Sequence, residues 1–470
     1  MVFSSLTFLL FFFPSILCLY FITNDDRIRN LVLLVFSLTF YAWGEPKWIF
    51  VMLFTVGVNY LCGIIISRSE KRKLFWVITG AGVSLAFLFY FKYSGFVLEN
   101  IENIFGFESG FKSPVLPIGI SFYTFQVLTY TVDVYRGKVE VQKSFFKLLL
   151  YVSFFPQLIA GPIVNYKDIE KQLDKRKIDI DDFYQGFMRF IVGFGKKILI
   201  ANTCGELVEK ITGIDSVAGA WLLAIAYTLQ IYFDFSGYSD MAIGIGRLFG
   251  FKFLENFNYP YISKSVTEFW RRWHISLGAF FREYVYILMG GNRVSKIKLV
   301  RNIMFVWLLT GIWHGASWNF LIWGVYYGVI LLIEKFALMK IKEKLPSVIN
   351  IMFTLVFVVV GWILFYYVDI NEGINHLKIM FGISGAEIVD AKAIYYFKEY
   401  IWFIVLGVCA SIPWKNVIGI LFANTKKEKL IERLTSFATY VKPVVLTVVF
   451  VMAIAMLVGQ SYNPFLYFRF

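Results

Sequence analysis

Residues 351–368 read IMFTLVFVVVGWILFYYV, a run of apolar and aromatic side chains without a single charge. As a helix rising about 1.5 Å per residue, such a run reaches across most of a bilayer's hydrocarbon core. A helix also pairs its own amide groups, which hydrocarbon cannot do for it. Stretches of the same kind recur toward the C-terminus, near Glu399–Trp414 and Pro443–Val458. They also recur toward the N-terminus, near Leu6–Ile22, Asn30–Trp43, Trp48–Ile66, Trp76–Phe91, Val115–Tyr135, Phe145–Ile163, Phe183–Ile200, Val217–Phe233, Asn302–His314 and Trp318–Phe336. With 58% hydrophobic and 20% aromatic residues, the chain has too little polar surface to cover a water-soluble core. The expected fold is all-α, a polytopic bundle of transmembrane helices. Several stretches are short for a full span, so tilted, broken or re-entrant pieces are expected within about ten to twelve crossings.

The first stretch has no basic residues before it and no small-x-small cleavage site after it, so it reads as a retained helix. The formal net charge of +14 is concentrated in connections: Arg68 with Lys71–Lys73, Lys171 with Lys175–Lys177, and Lys426, Lys427, Lys429 and Arg433. That placement points to cytosolic loops of a membrane protein and away from a nucleic-acid surface. The acidic connections Ser94–Pro114 and Asp369–Lys398 are expected on the opposite face. Cys18, Cys62, Cys204 and Cys409 show no CxxC or Cys/His spacing, which argues against a zinc site or a disulfide framework. They read as small buried hydrophobes.

No repeat, low-complexity tract or long hydrophilic segment divides the chain, so residues 1–470 are expected to form one membrane domain. Polar groups gather between Phe233 and His314. LPIGISFYTFQVLTYTVDVYRG (Leu116–Gly137) and FFPQLIAGPI (Phe154–Ile163) carry Pro, Gly and polar residues within apolar surroundings and read as irregular or broken helix along a cavity. A plain kinked packing helix is the alternative for both.

The chain has three histidines. His376 follows Asn371 and Glu372 and reads as a solvated loop residue. His314, in LTGIWHGASWNFLIWG, has Gly311, Gly315, Ala316 and Ser317 as small neighbours, so another group can approach its ring. An imidazole in apolar surroundings is expected to stay uncharged, and a neutral ring nitrogen can act as a general base. A hydrogen-bonded packing histidine is the competing assignment. His274 lies in TEFWRRWHISL after Arg271 and Arg272. If that segment is helical, Thr267, Trp270 and Arg271 share its face. It reads either as a second active-site histidine beside anion-binding arginines or as a cationic interfacial helix anchored by Trp270 and Trp273. Asp234 and Asp240, in DFSGYSDMAIG, need partners at that depth, with Arg271 and Arg272 as candidates. They read as structural or orienting groups. No phosphate-binding glycine loop, GxSxG elbow or HExxH pair is present in a credible context.

FDFSGYSDMAIG, ENFNYPYISKSVTEFWRRWHISL, GGNR and GIWHGASWNFLIWG together resemble the membrane-bound O-acyltransferase family, and in particular its bacterial alginate and peptidoglycan O-acetyltransferase branch. The likeness extends to the opening MVFSS and to LPIGISFY, DVYRG, FFPQLIAGPI and GWILF. It implies helices, some of them re-entrant or interfacial, around a central tunnel. It implies that His314 is the central catalytic histidine and His274 its second polar position, with Asp234, Asp240, Arg271, Arg272, Asn292 and Trp313 in support. It also implies an acetyl donor, acetyl-coenzyme A, used on the cytosolic side of the cytoplasmic membrane without a metal. The acetyl group would go to a cell-envelope or secreted polysaccharide through an extracytoplasmic SGNH, esterase-like partner. The ending NPFLYFRF matches a family tail whose tyrosine, here Tyr467, is an acyl relay. An interfacial aromatic anchor is the other assignment for it. Two alternatives stand beside this reading: a D-alanyl exporter of the same family, and a proton-coupled transporter, which would show internally related halves.

Overall fold

The computed structural model describes residues 1–159, 161–414, 416–417, 428–459 and 465–466. Among these residues the regular structure is helical and no strand occurs. Seven helices among the described residues are long and apolar enough to cross a bilayer: Ile49–Arg68, Lys73–Phe105, Val217–Leu248, Trp318–Lys342, Ser347–Tyr366, Ala391–Ala410 and Thr439–Gly459. The remaining apolar stretches fall short for visible reasons. Phe8–Phe21 is a shorter apolar helix, and Asp26–Gly44 opens on charged side chains. The run 145–163 breaks at Phe154 into Phe145–Ser153 and the single turn Phe155–Leu158. The segment from Leu116 becomes helical only at Ile120, after a left-handed Gly119. Both irregular segments read from proline and glycine therefore exist.

The helix Val217–Leu248 is the axis of the molecule, with 78% of its apolar window buried, against 6% for Thr439–Gly459. Its first amides, those of Val217 and Ala218, donate to the carbonyls of Glu387 and Ile388 at 2.9 Å, so the acidic connection closes this helix end. The helix Ile180–Gly195 lies hard against it. A Cβ on Gly193 would stand 2.5 Å from the Gly237 oxygen, and one on Gly244 would stand 2.6 Å from the Gly186 oxygen. Small residues allow this approach, as between membrane helices generally.

That closeness decides where Asp234 and Asp240 find partners. Asp240 meets Arg189 and Lys196, each at 2.7 Å, and Asp234 meets Lys197 at 2.6 Å. The π-helical stretch Lys196–Asn202 presents both lysines to one neighbour. The expected partners, Arg271 and Arg272, are not used; Arg272 pairs with Glu268 at 2.8 Å. Removing Lys197 alone would strand a buried carboxylate at a cost of about 3–5 kcal/mol.

His376 also departs from expectation. It lies on the helix Ile370–Met380, buried, with Nδ1 3.1 Å from the Tyr367 hydroxyl and Nε2 3.2 Å from the Ala220 carbonyl. Its polar sequence neighbours occupy the other face of that helix. Cys62 and Cys204 are buried as expected, whereas Cys18 and Cys409 are exposed.

Candidate active site

His274 is positioned by a break in the helix. Val266–Arg272 is held at its start by the Ser265 side chain, which accepts from Glu268 N at 2.9 Å. The buried carboxylate of Glu334 accepts from Val266 N at 3.0 Å and Thr267 N at 2.8 Å. A negative group is favourable at that helix end. The helix stops at Arg272, His274 adopts a left-handed conformation with φ 45°, and a second helix runs over Ile275–Phe281. The single face joining Thr267, Trp270, Arg271 and His274 therefore does not form.

Asn256, which is wholly buried, causes the break. Its side-chain oxygen accepts from Ser276 N at 3.1 Å and Ser276 Oγ at 2.8 Å and faces His274 Nδ1 at 3.2 Å, while its carbonyl takes Ile275 N at 3.0 Å. These bonds replace the ones a continuous helix would make. The left-handed histidine costs on the order of 1 kcal/mol, a strain that persists only where surrounding structure fixes it. With a carbonyl-type acceptor at Nδ1, that nitrogen carries the proton and Nε2 is the acceptor. Nε2 has no hydrogen-bonding partner among the described residues. Trp273 and His274 are both buried in protein, which sets aside the interfacial anchor.

His314 closes the helix Lys296–His314. This helix and the one beginning at Trp318 cross through glycines: a Cβ on Gly324 would lie 2.5 Å from the Trp307 oxygen, and one on Gly311 would strike the Phe320 carbonyl. The buried imidazole sits edge-on among Trp313, Trp323 and Phe365, with ring centroids at 5.0, 5.0 and 5.2 Å. Its Nδ1 makes no hydrogen bond within the described residues. Trp313 packs against both histidine rings, 5.0 Å from His314 and 5.9 Å from His274.

Among the described residues, His314 lines three cavities. A junction cavity of about 170 Å³ is shared with His274. Trp270, Gly278, Arg282, Tyr286, Val306 and Trp307 line both this cavity and a larger one of about 940 Å³. Among the described residues the larger cavity's wall carries Arg271, Arg282 and Lys335 and no carboxylate. Among the described residues none of these three cations has an ion-pair partner, unlike Arg189, Lys196, Lys197 and Arg272. Asn292 is there too, accepting from Tyr286 Oη at 2.7 Å and Lys335 Nζ at 2.9 Å. His314 also lines a separate small chamber of about 80 Å³ with Lys92, Ser121 and Gly119 in its wall. It adjoins a vestibule of about 270 Å³ through Ile118 and Ile159.

The third cavity, about 20 Å³, brings His314 to Asp234, Phe465 and Leu466. Leu466 N donates to Asp234 Oδ2 at 2.8 Å, and Phe465 stacks on Tyr238 at 4.8 Å. Tyr467 lies outside the described residues.

Of the residues singled out from sequence, His314, His274, Trp313, Asp234, Arg271 and Asn292 line this connected system, whereas Asp240 and Arg272 serve ion pairs beside it. Asn256, Arg282, Lys335 and Lys92 were not singled out. Asn256 lies within the quoted ENFNYPY run, and a lysine in the aromatic stretch FLFYFKY was a visible signal for Lys92. Among the described residues no group of three or more His, Cys, Asp or Glu side chains could hold a metal ion.

Two buried, uncharged-type imidazoles beside a positively lined cavity suit proton transfer next to an anionic ligand. Comparison with known proteins agrees with such a class. The chain belongs to the membrane-bound O-acyltransferase family, whose model matches residues 138–368, the part holding both histidines. It is 37% identical to the probable alginate O-acetylase AlgI of Pseudomonas putida over the full length of both chains. It is 33% identical to the peptidoglycan O-acetyltransferase of Helicobacter pylori, covering 83% of this chain and 81% of that one. With the teichoic acid D-alanyltransferase of Bacillus subtilis it shares 31% identity over 53% of this chain and 68% of the relative. The protein is thus a multi-pass membrane O-acyltransferase that uses an acyl donor, and the transporter alternative falls away.

Proposed function

We propose that the protein takes acetyl groups from acetyl-coenzyme A at the cytosolic face of the cytoplasmic membrane and delivers them across it for O-acetylation of a cell-envelope or secreted polysaccharide. The observation that carries this reading is the contrast of charge around His314: a large cavity with three cations lacking carboxylate partners on one side, and a small chamber on the other. Phosphates of a nucleotide-bearing thioester would find Arg271, Arg282 and Lys335. The bulky anion stays on its side while only the acetyl group passes.

In the transfer, a nitrogen of neutral His314 takes the proton of the acceptor hydroxyl as its oxygen attacks the thioester carbonyl. The tetrahedral intermediate collapses with loss of the thiolate, which recovers the proton from the imidazolium. His274, fixed by Asn256, orients or polarises the reacting group through Nε2. Trp313 packs against both rings, and Asp234 and Asp240 brace the wall. The catalytic unit is the whole chain, acting as one membrane domain.

Acetyl is favoured over D-alanyl because likeness to the O-acetylases runs over all or most of the chain, whereas likeness to the D-alanyltransferase covers about half. The acceptor polymer is reached through an extracytoplasmic SGNH, esterase-like partner. Tyr467 carries the acetyl group on the way, a role supported by the neighbouring Leu466 and Phe465 lining a cavity with His314. Tyr467→Phe keeps the aromatic anchor and removes the acceptor hydroxyl. Polymer O-acetylation in cells carrying this variant is expected to be lost with protein level unchanged, and wild-type acetylation would refute the relay.

A further inference from the structure

The helix Lys73–Phe105 contains one π-helical turn, Phe89–Tyr93. Such turns insert an extra residue and are frequent at functional sites. Here the turn sends Lys92 and Tyr93 to the same place. At the end of Lys296–His314 the chain leaves the helix with Gly315 extended, so the carbonyls of Ile312, Trp313 and His314 have no amide of the next turn to accept. In a membrane interior an unmet carbonyl is costly. Tyr93 Oη donates to the Ile312 oxygen at 3.0 Å, and Lys92 Nζ donates to the Trp313 oxygen and reaches the His314 oxygen at 3.4 Å. Lys92 Nζ also lies 3.5 Å from Ser121 Oγ, tying in the helix Ile120–Tyr135.

Lys92 therefore differs from a lysine that merely snorkels toward water. Its ammonium turns into the protein, has no ion-pair partner among the described residues, and sits at the negative end of a helix, where a cation is favourable. It lines the small chamber together with His314. Lys92 lies outside the span that the family model matches.

We infer that Lys92 is a positioning residue for the transfer step: by clamping the terminal carbonyls of the His314 helix it fixes the direction of the imidazole at the small chamber. This rests on the proposed acetyl transfer, and it makes a distinct demand, because donor recognition lies across His314 in the basic cavity. The clamp should act on turnover and leave donor affinity alone.

The test uses the full chain in native membrane vesicles, with acetyl-coenzyme A as probe. Lys92→Met is expected to lower kcat by about 100-fold, the order that a misplacement of about 1 Å brings, with the KM for acetyl-coenzyme A unchanged. Lys92→Arg keeps a cation and donors and is expected to recover most of the rate; this second variant covers the case in which Lys92→Met fails to insert. A Lys92→Met protein with wild-type kcat, or one whose KM rises while kcat holds, would overturn the inference. A second readout does not depend on the donor. Carbethoxylation of His314 by diethyl pyrocarbonate, followed by mass spectrometry, is expected to be several-fold faster in Lys92→Met, and an unchanged rate would also overturn the clamp. Wild-type protein that leaves acetyl-coenzyme A unconsumed would instead count against the proposed function.

Discussion

The cavities on either side of His314 are unlike in size and in what their charges do. The basic cavity, about 940 Å³, holds Arg271, Arg282 and Lys335 and, among the described residues, no carboxylate in its wall. The small chamber, about 80 Å³, has one cation, Lys92, already engaged with backbone carbonyls. The first has free charge to offer a ligand, whereas the second spends its charge on the protein's own geometry. The proposed function puts donor binding and transfer at different walls, so substitutions at each should separate KM from kcat.

The sharpest separation is expected between the two, where His274 is set. Asn256→Leu removes the acceptor that breaks the helix and aims the ring, and kcat is expected to fall by about 100-fold while the KM for acetyl-coenzyme A holds, since second-layer partners of this kind act through alignment. Steady-state rates in vesicles measure it, and a variant with wild-type kcat would show that the break has no part in turnover. A smaller effect is expected in the basic cavity. Arg282→Gln combined with Lys335→Gln should raise the KM by about tenfold, as loss of charge-assisted contacts at a partly exposed site predicts, and leave kcat in place. A fall in kcat without a change in KM would erase the proposed division of labour. The smallest effect is expected at Arg272, next in sequence to a cavity residue but paired with Glu268 at a half-exposed position. Arg272→Ala should change thermal stability by only about 0–1 kcal/mol and leave both kinetic constants unchanged. A raised KM there would extend the donor site beyond the basic cavity.

Much of this organisation was legible in the chain itself, because apolar runs such as 351–368 have few solutions other than a membrane helix. The small residues around His314 were equally readable, and Gly311 does permit the close helix crossing. What sequence could not supply were pairings made by distant segments. Asp240 and Asp234 find Arg189, Lys196 and Lys197 because glycines bring two helices together, and no local rule prefers those cations over Arg271 and Arg272. His274 leaves the helical face because Asn256 competes for its neighbours' amides from outside the segment. His376 sits among polar sequence neighbours and yet is buried, since only one side of its helix meets solvent. Lys92 matters because a π turn redirects it, a feature that composition does not announce.

The central claim is that the His314 imidazole moves the proton during acetyl transfer between the two cavities. It is tested most directly by giving labelled acetyl-coenzyme A to the cytosolic face of native vesicles carrying wild type or His314→Ala, and counting O-acetyl ester formed on the far side per inserted molecule. The account predicts a loss of about 10²–10⁴-fold for the variant at unchanged membrane insertion, the range expected for a missing general base. Ester formed at or near the wild-type rate would contradict it.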